Sequence, residues 1–142
     1  MAISQQINKI NQRVNPVQKF VIKELIDANF ETEVLKKTKP VYVLFYSNTC
    51  ALCADMLKTL NEIGLAFNKE LEFYKINVNN NRSYASKYAG SGMPCSVIFQ
   101  KGDIIRNTRI LDGQSVWTGN AANLQYFINW INNVLNVAGE KW

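Results

Sequence analysis

Apolar and polar positions along this chain change their spacing several times, and each change marks an element. Ile3, Ile7, Ile10, Val14 and Val17 recur at alternating steps of four and three, the seam of an amphipathic helix that Pro16 ends near Asn15. Lys19 to Leu25 reads as a strand, and Asn29 to Lys37 as a short helix with Phe30, Val34 and Leu35 facing inward. The unbroken run Val41-Tyr42-Val43-Leu44-Phe45-Tyr46 is what a central strand buried on both faces requires. A helical period returns from Cys50 to Phe67, with Met56, Leu57, Leu60 and Ile63 on its apolar side. Leu71 to Val78 reads as a strand, Asn81 to Tyr88 as a small helix and Ser96 to Gln100 as a strand. Lys101-Gly102-Asp103 predicts a hairpin turn with Ile104 to Leu111 as the returning strand, Asp112-Gly113 a further turn, and Ala121 to Val137 a closing helix.

The predicted order is βαβαβαββα. Strands alternating with helices argue an α/β fold with a central sheet, and the hairpin near the end makes that sheet mixed. Residues 1–18 stand apart as an N-terminal amphipathic extension: they hold no acidic residue and are rich in Gln and Asn. Residues 19–142 form the predicted domain. The closing helix has a wide apolar arc, with Leu124, Phe127, Ile128, Ile131 and Leu135 on one stripe and Tyr126, Trp130, Val134 and Val137 on the next. So wide an arc covers more than one surface. It is expected to meet the core on one side and, on the other, the N-terminal helix, a second copy or a partner.

Composition narrows the function classes. Apolar residues make up 47% of 142, which excludes a disordered chain and allows one domain with a true core. The net charge is +5, but Lys and Arg are scattered without a basic stripe, so no nucleic-acid role is expected. No apolar run approaches a membrane span, so no membrane role is expected. The N-terminus lacks the layout of a secretory signal, and with three cysteines a cytoplasmic location is expected. The chain has no histidine, which excludes Ser-His and Cys-His nucleophile pairs and histidine metal sites.

The chemistry gathers at Cys50-Ala51-Leu52-Cys53, where the central apolar run gives way to the helical pattern. Two thiols at this spacing reach one another if the first sits at the start of a helix. The loop they close is small, so a bridge there adds little chain-entropy stabilisation and fits reversible chemistry better than stapling. The alternative is half of a zinc site, for which the chain offers only Cys95 as a further thiol.

Over Lys19 to Val137 the chain resembles the thioredoxin family. The resemblance rests on the element order, on Phe45-Tyr46 leading to the CxxC, and on Lys75-Ile76-Asn77-Val78-Asn79. It continues through Lys87-Tyr88, Gly92-Met93-Pro94, Val97-Ile98-Phe99 and Gly102. It implies a thioredoxin-like α/β fold and thiol–disulfide exchange, with Cys50 as nucleophile, Cys53 as resolving thiol and Pro94 in the cis form beside them. It further implies a docking surface shaped by Thr49, Met93, Pro94 and Tyr46, and no cofactor beyond a Cys50–Cys53 disulfide. The implied partners are protein thiols and disulfides together with a reductase or oxidase. Elementary chemistry agrees: the thiolate is the attacking species, and a helix's first turn favours an anion.

The chain departs from the family's pattern at several positions. Thr49 stands where the family has tryptophan, and Ala51-Leu52 replaces Gly-Pro. Leu44 takes the place of the family's buried aspartate, so Lys75 lacks its expected carboxylate companion and either reaches solvent or lies near the thiols. Asp55 is expected on the surface. Cys95 directly follows Pro94, and three readings stand for it: a buried structural thiol, a third redox thiol, or part of a three-thiolate metal or Fe–S site. Cys95 and Lys75 are thus accessory candidates. Asn48, Asn79 to Asn81 and Asn132-Asn133 read as loop and surface residues without a chemical role. The leading expectation is a protein-disulfide oxidoreductase, and the alternative a thioredoxin-fold binding module with weak redox activity.

Overall fold

A computed structural model describes residues 20–90 and 92–141; the amphipathic extension of residues 1–18 lies outside the described residues. A six-stranded mixed sheet carries the fold. β1 (Lys23–Leu25), β3 (Glu72–Asn77) and β2 (Val41–Tyr46) run parallel in that spatial order, and β4 (Cys95–Gln100) is antiparallel to β2. β5 (Asp103–Ile104) and β6 (Val116–Thr118) both pair with β4, antiparallel.

β2 lies in the middle and is buried from Val41 to Phe45. Side chains alternate across a strand, and β2 divides its apolar residues accordingly. Tyr42 and Leu44 join one core; Val41, Val43 and Phe45 join the other. The first core holds Met56 and Leu60 of helix α2 (Ala51–Phe67) and Phe127, Trp130, Ile131 and Val134 of helix α4 (Leu124–Lys141). The second core holds Phe30 of helix α1 (Asp27–Phe30) and Ala85 of helix α3 (Ala85–Tyr88). Phe30 stacks on Tyr84 at 4.1 Å between ring centres and meets Phe99 edge-on at 5.6 Å.

Four of the predicted elements match with small shifts at their ends: the strands Val41–Tyr46, Glu72–Asn77 and Cys95–Gln100, and the helix that begins at Ala51 with Cys50 as its N-cap. Others are shorter or differently wound. The helix predicted from Asn29 to Lys37 begins at Asp27, and its second half, Glu31–Leu35, is a π turn. Lys36 N donates to Glu31 O at 2.9 Å, five residues back. The helix predicted from Asn81 is only Ala85–Tyr88.

The strand predicted over Ile104–Leu111 is corrected. Only Asp103–Ile104 pair with β4, and the lower part of that edge is filled by β6, which the sequence pattern did not reveal. Ser115 is the physical reason. Its buried hydroxyl donates to Ile98 O at 2.7 Å and accepts from Ile105 N at 2.8 Å, while Ile98 N donates to Ser115 O at 2.9 Å. The chain between leaves the sheet in turns around Asn107 and around Asp112-Gly113, both of which take positive φ. Ile110 then packs into the core against α4 instead of pairing with β4.

The closing helix buries Phe127, Trp130, Ile131, Val134, Val137 and Ala138, drawing on both predicted stripes. Leu124 and Tyr126 remain exposed.

Candidate active site

β2 ends at Tyr46, and residues 47–49 lead straight to Cys50. Cys50 caps α2. Its extended backbone leaves the helix's first N–H groups open, and Cys53 N donates to Cys50 Sγ at 3.0 Å and to Cys50 O at 3.2 Å. Cys50 and Cys53 form a disulfide with their Cα atoms 5.2 Å apart. Cys50 is half-buried, Cys53 is buried, and Ala51 and Leu52 point outward between them. The helix start carries unsatisfied N–H groups and partial positive charge, an environment that favours a thiolate once the bridge is reduced.

The Met93–Pro94 bond is cis. Phe45 pairs with Cys95 across β2 and β4, so this bond lies at the same end of the sheet as Tyr46 and the CxxC loop. Pro94 is buried and its carbonyl accepts from Gly119 N at 2.8 Å. Met93 is half-buried and Thr49 exposed. Thr49, Met93 and Pro94 lie at the same end of the sheet as the disulfide, as does Tyr46, whose hydroxyl is engaged elsewhere. It donates to the Glu24 carboxylate at 2.8 and 2.9 Å. Burial and then that carboxylate push the phenol up to about 12.

Glu24 also supplies what Lys75 was expected to lack. Lys75 Nζ lies 3.8 Å from Glu24 Oε1 and 5.7 Å from the centre of the Tyr46 ring. The carboxylate comes from β1, one strand beyond Lys75 on the side away from Leu44. Leu44 itself is fully buried among Met56 and Leu60. Asp55 is on the surface, as predicted.

Cys95 is a free, buried thiol packed with Phe45 and Val97. Burial pushes it up to about 11, so it stays neutral at ordinary pH and fits the structural reading. Among the described residues no group of three or more His, Cys, Asp or Glu side chains is placed to hold a metal ion.

The sequence reading missed the asparagines. Asn77 Nδ2 donates to Asn48 Oδ1 at 2.7 Å, and Asn48 N donates to Asn79 Oδ1 at 2.7 Å. Asn79 N donates to Asn77 Oδ1 at 2.9 Å, and Asn81 Nδ2 to Asn77 O at 3.0 Å. Their clustering at the end of β3 is a sequence signal, but it points to no partner without the β2–β3 register.

A disulfide at a helix N-terminus, at the same end of a mixed sheet as a cis X-Pro bond, has its counterpart in known proteins. The family profile described as Thioredoxin matches residues 21–117. This chain belongs to the thioredoxin family. It is 34% identical to the thioredoxin of Rhodospirillum rubrum over 83 residues, covering 58% of this chain and 80% of that protein. It is 29% identical to the thioredoxin of Rickettsia bellii over 107 residues, covering 75% and 92%. A solved thioredoxin of Malassezia sympodialis superposes with a TM-score of 0.66 over 82% of this chain and 95% of that one; at 17% identity it speaks to the fold.

As a member of the thioredoxin family, this protein is a thiol–disulfide oxidoreductase that acts on protein disulfides through the Cys50–Cys53 pair. Thioredoxins need no cofactor beyond that disulfide. No helix among the described residues is long and apolar enough to cross a membrane.

Proposed function

We propose that Cys50 is the attacking thiol and Cys53 the resolving thiol of a protein-disulfide exchange. The Cys50 thiolate attacks one sulfur of a substrate disulfide. The substrate S–S bond breaks, its electron pair leaves on the distal sulfur, and that sulfur takes a proton. Cys53 then loses its proton and attacks Cys50 Sγ, which releases the second substrate thiolate and leaves Cys50–Cys53 oxidised. A separate reductase returns the oxidised pair to the dithiol by thiol exchange; in the reverse direction the oxidised pair passes its disulfide to a substrate dithiol and an oxidase re-forms it. The observation that carries this reading is the asymmetry of the pair: Cys50 is half-exposed and receives the Cys53 N–H, while Cys53 is buried one turn inward.

Thr49, Met93 and Pro94 border the substrate, and exposed Leu52 adds an apolar contact at the mouth. Tyr46 contributes from behind, through its ring and not its hydroxyl. Residues 19–142 act as the catalytic domain, and residues 1–18, with the closing helix, serve contact with a partner or a second copy. A cytoplasmic site of action fits a chain in which Cys95 stays a free thiol.

The test is reduction of insulin disulfides followed by turbidity. The wild type accelerates the reaction over free dithiothreitol, and Cys50→Ser abolishes the acceleration. Cys53→Ser accumulates mixed disulfides at Cys50; partners attached only at Cys95 would overturn the assignment.

A further inference from the structure

Among the described residues the Cys50 side chain has no hydrogen-bond partner outside its own loop and helix start. Something else must hold it over the α2 N-terminus. Asn48, between Tyr46 and Cys50, is bound to β3 and to the loop that follows it, and so is Tyr46 itself. Val78 N donates to Tyr46 O at 2.8 Å, Asn48 N to Asn79 Oδ1 at 2.7 Å, and Asn77 Nδ2 to Asn48 Oδ1 at 2.7 Å.

Asn77 is the hub of this clamp. Its Oδ1 accepts from Asn79 N at 2.9 Å, which orients the very residue that accepts from Asn48 N. Its carbonyl accepts from Asn81 Nδ2 at 3.0 Å, and Asn81 Oδ1 accepts from Asp27 N at 2.9 Å, so the clamp is anchored to the start of α1. Asn77 stands opposite Tyr46 as the last pair of β2 and β3, and is half-buried. An amide is the side chain suited to this place, because it donates toward Asn48 and accepts from Asn79 at once.

We infer that Asn77 is a positioning residue for the disulfide exchange, holding the Asn48-Thr49 turn so that Cys50 stays seated as the N-cap of α2. The inference rests on the reading of Cys50 as the attacking thiol. Without the clamp the turn has freedom to lift Cys50 from the Cys53 N–H, and the thiolate loses the N-terminal field that favours it. The field falls off within a turn of helix, so a small displacement is felt. The ionisable groups around the clamp are Glu24, Tyr46, Lys75 and Asp27, with Cys53 and Asp55 on the helix itself; substitution of Asn77 by alanine adds no charge to them.

The experiment measures the pH dependence of alkylation of Cys50 by iodoacetamide in the reduced protein, with Cys50→Ser to identify its signal. It is run on the wild type, Asn77→Ala, Asn77→Gln, Asn48→Ala and the double alanine variant. The Cys50 reaction is expected to shift to higher pH in Asn77→Ala and in Asn48→Ala. The double variant should shift no further than Asn77→Ala, because the bond that Asn48→Ala removes is one of the two that Asn77→Ala removes. Loss of a hydrogen bond of this kind corresponds to about a three- to tenfold fall in kcat/KM for a protein disulfide at neutral pH. A role confined to stability would lower the melting temperature and leave the alkylation profile where it was, and that result overturns the inference. If alkylation in the wild type instead tracks Cys53, the attacking-thiol reading fails, whatever Asn77 does.

Discussion

Tyr46 at the end of β2 and Glu24 on β1 are separated by the whole width of β3, yet the Tyr46 hydroxyl donates to both oxygens of the Glu24 carboxylate, at 2.9 and 2.8 Å. Lys75, on the strand between them, closes the group at 3.8 Å from the same carboxylate. The phenol is therefore held neutral well above its usual range. Its folded value lies above its unfolded one, so the stability it contributes is full below about pH 10 and is lost as pH rises toward about 12. Tyr46→Phe is expected to lower stability at pH 7 by about 1 kcal/mol and to flatten the alkaline part of the stability profile. Urea unfolding at pH 7 and at pH 11 checks both.

Cys95 gives a second alkaline effect. Burial raises its thiol from 9.0 to about 11, so its contribution is intact below pH 9 and declines as pH climbs between these values. Cys95→Ala should lessen the fall in stability over that interval. In the reduced native protein a thiol reagent such as Ellman's should modify Cys50 rapidly and Cys95 only on the timescale of unfolding. Rapid reaction at Cys95 in the folded state would contradict the burial.

Tyr42 and Ser96 form a buried hydroxyl pair at 2.5 Å across β2 and β4. Removing one partner strands the other without water. Ser96→Ala is expected to destabilise by about 1–3 kcal/mol, and Tyr42→Phe by a similar amount. The double variant should be less destabilised than the sum of the two, because no orphaned hydroxyl remains. A denaturant double-mutant cycle measures the coupling.

Leu44→Asp tests whether the site accepts a carboxylate where the family carries one. Lys75 is already engaged by Glu24, and Leu44 packs against Met56 and Leu60 without exposure. A carboxyl there loses the apolar contacts and stays desolvated. Stability should fall by about 3 kcal/mol or more at pH 7 and recover partly as the pH is lowered and the carboxyl protonates. Thermal unfolding at pH 4 and pH 7 distinguishes this from a pure packing loss, which has no such dependence.

The central features of the site were legible in the chain because they are local. Val41 to Tyr46 declares a buried strand by an unbroken β-rich run, and the spacing of Met56 and Leu60 declares the helix that Cys50 caps. The resemblance added the cis bond at Met93–Pro94, which a lone X-Pro does not announce. The N-terminal seam of Ile3, Ile7 and Ile10 is equally plain as a pattern, but falls outside the described residues.

By contrast, the alternation after Gly102 promised one strand where there are two short ones, since Ser115, ten residues on, takes the hydrogen bonds at Ile105. Glu24 as the partner of Lys75 and Tyr46, and Asn77 as the partner of Asn48, likewise depend on strands that meet from distant parts of the chain. Periodicity and helix-start chemistry act between residues a turn or two apart, so the sequence alone determined the strand, the helix and the cysteine pair. Which polar groups support that pair was decided by sheet order and register, because hydrogen bonds and ion pairs need atoms within a few ångströms and only tertiary pairing brings them there.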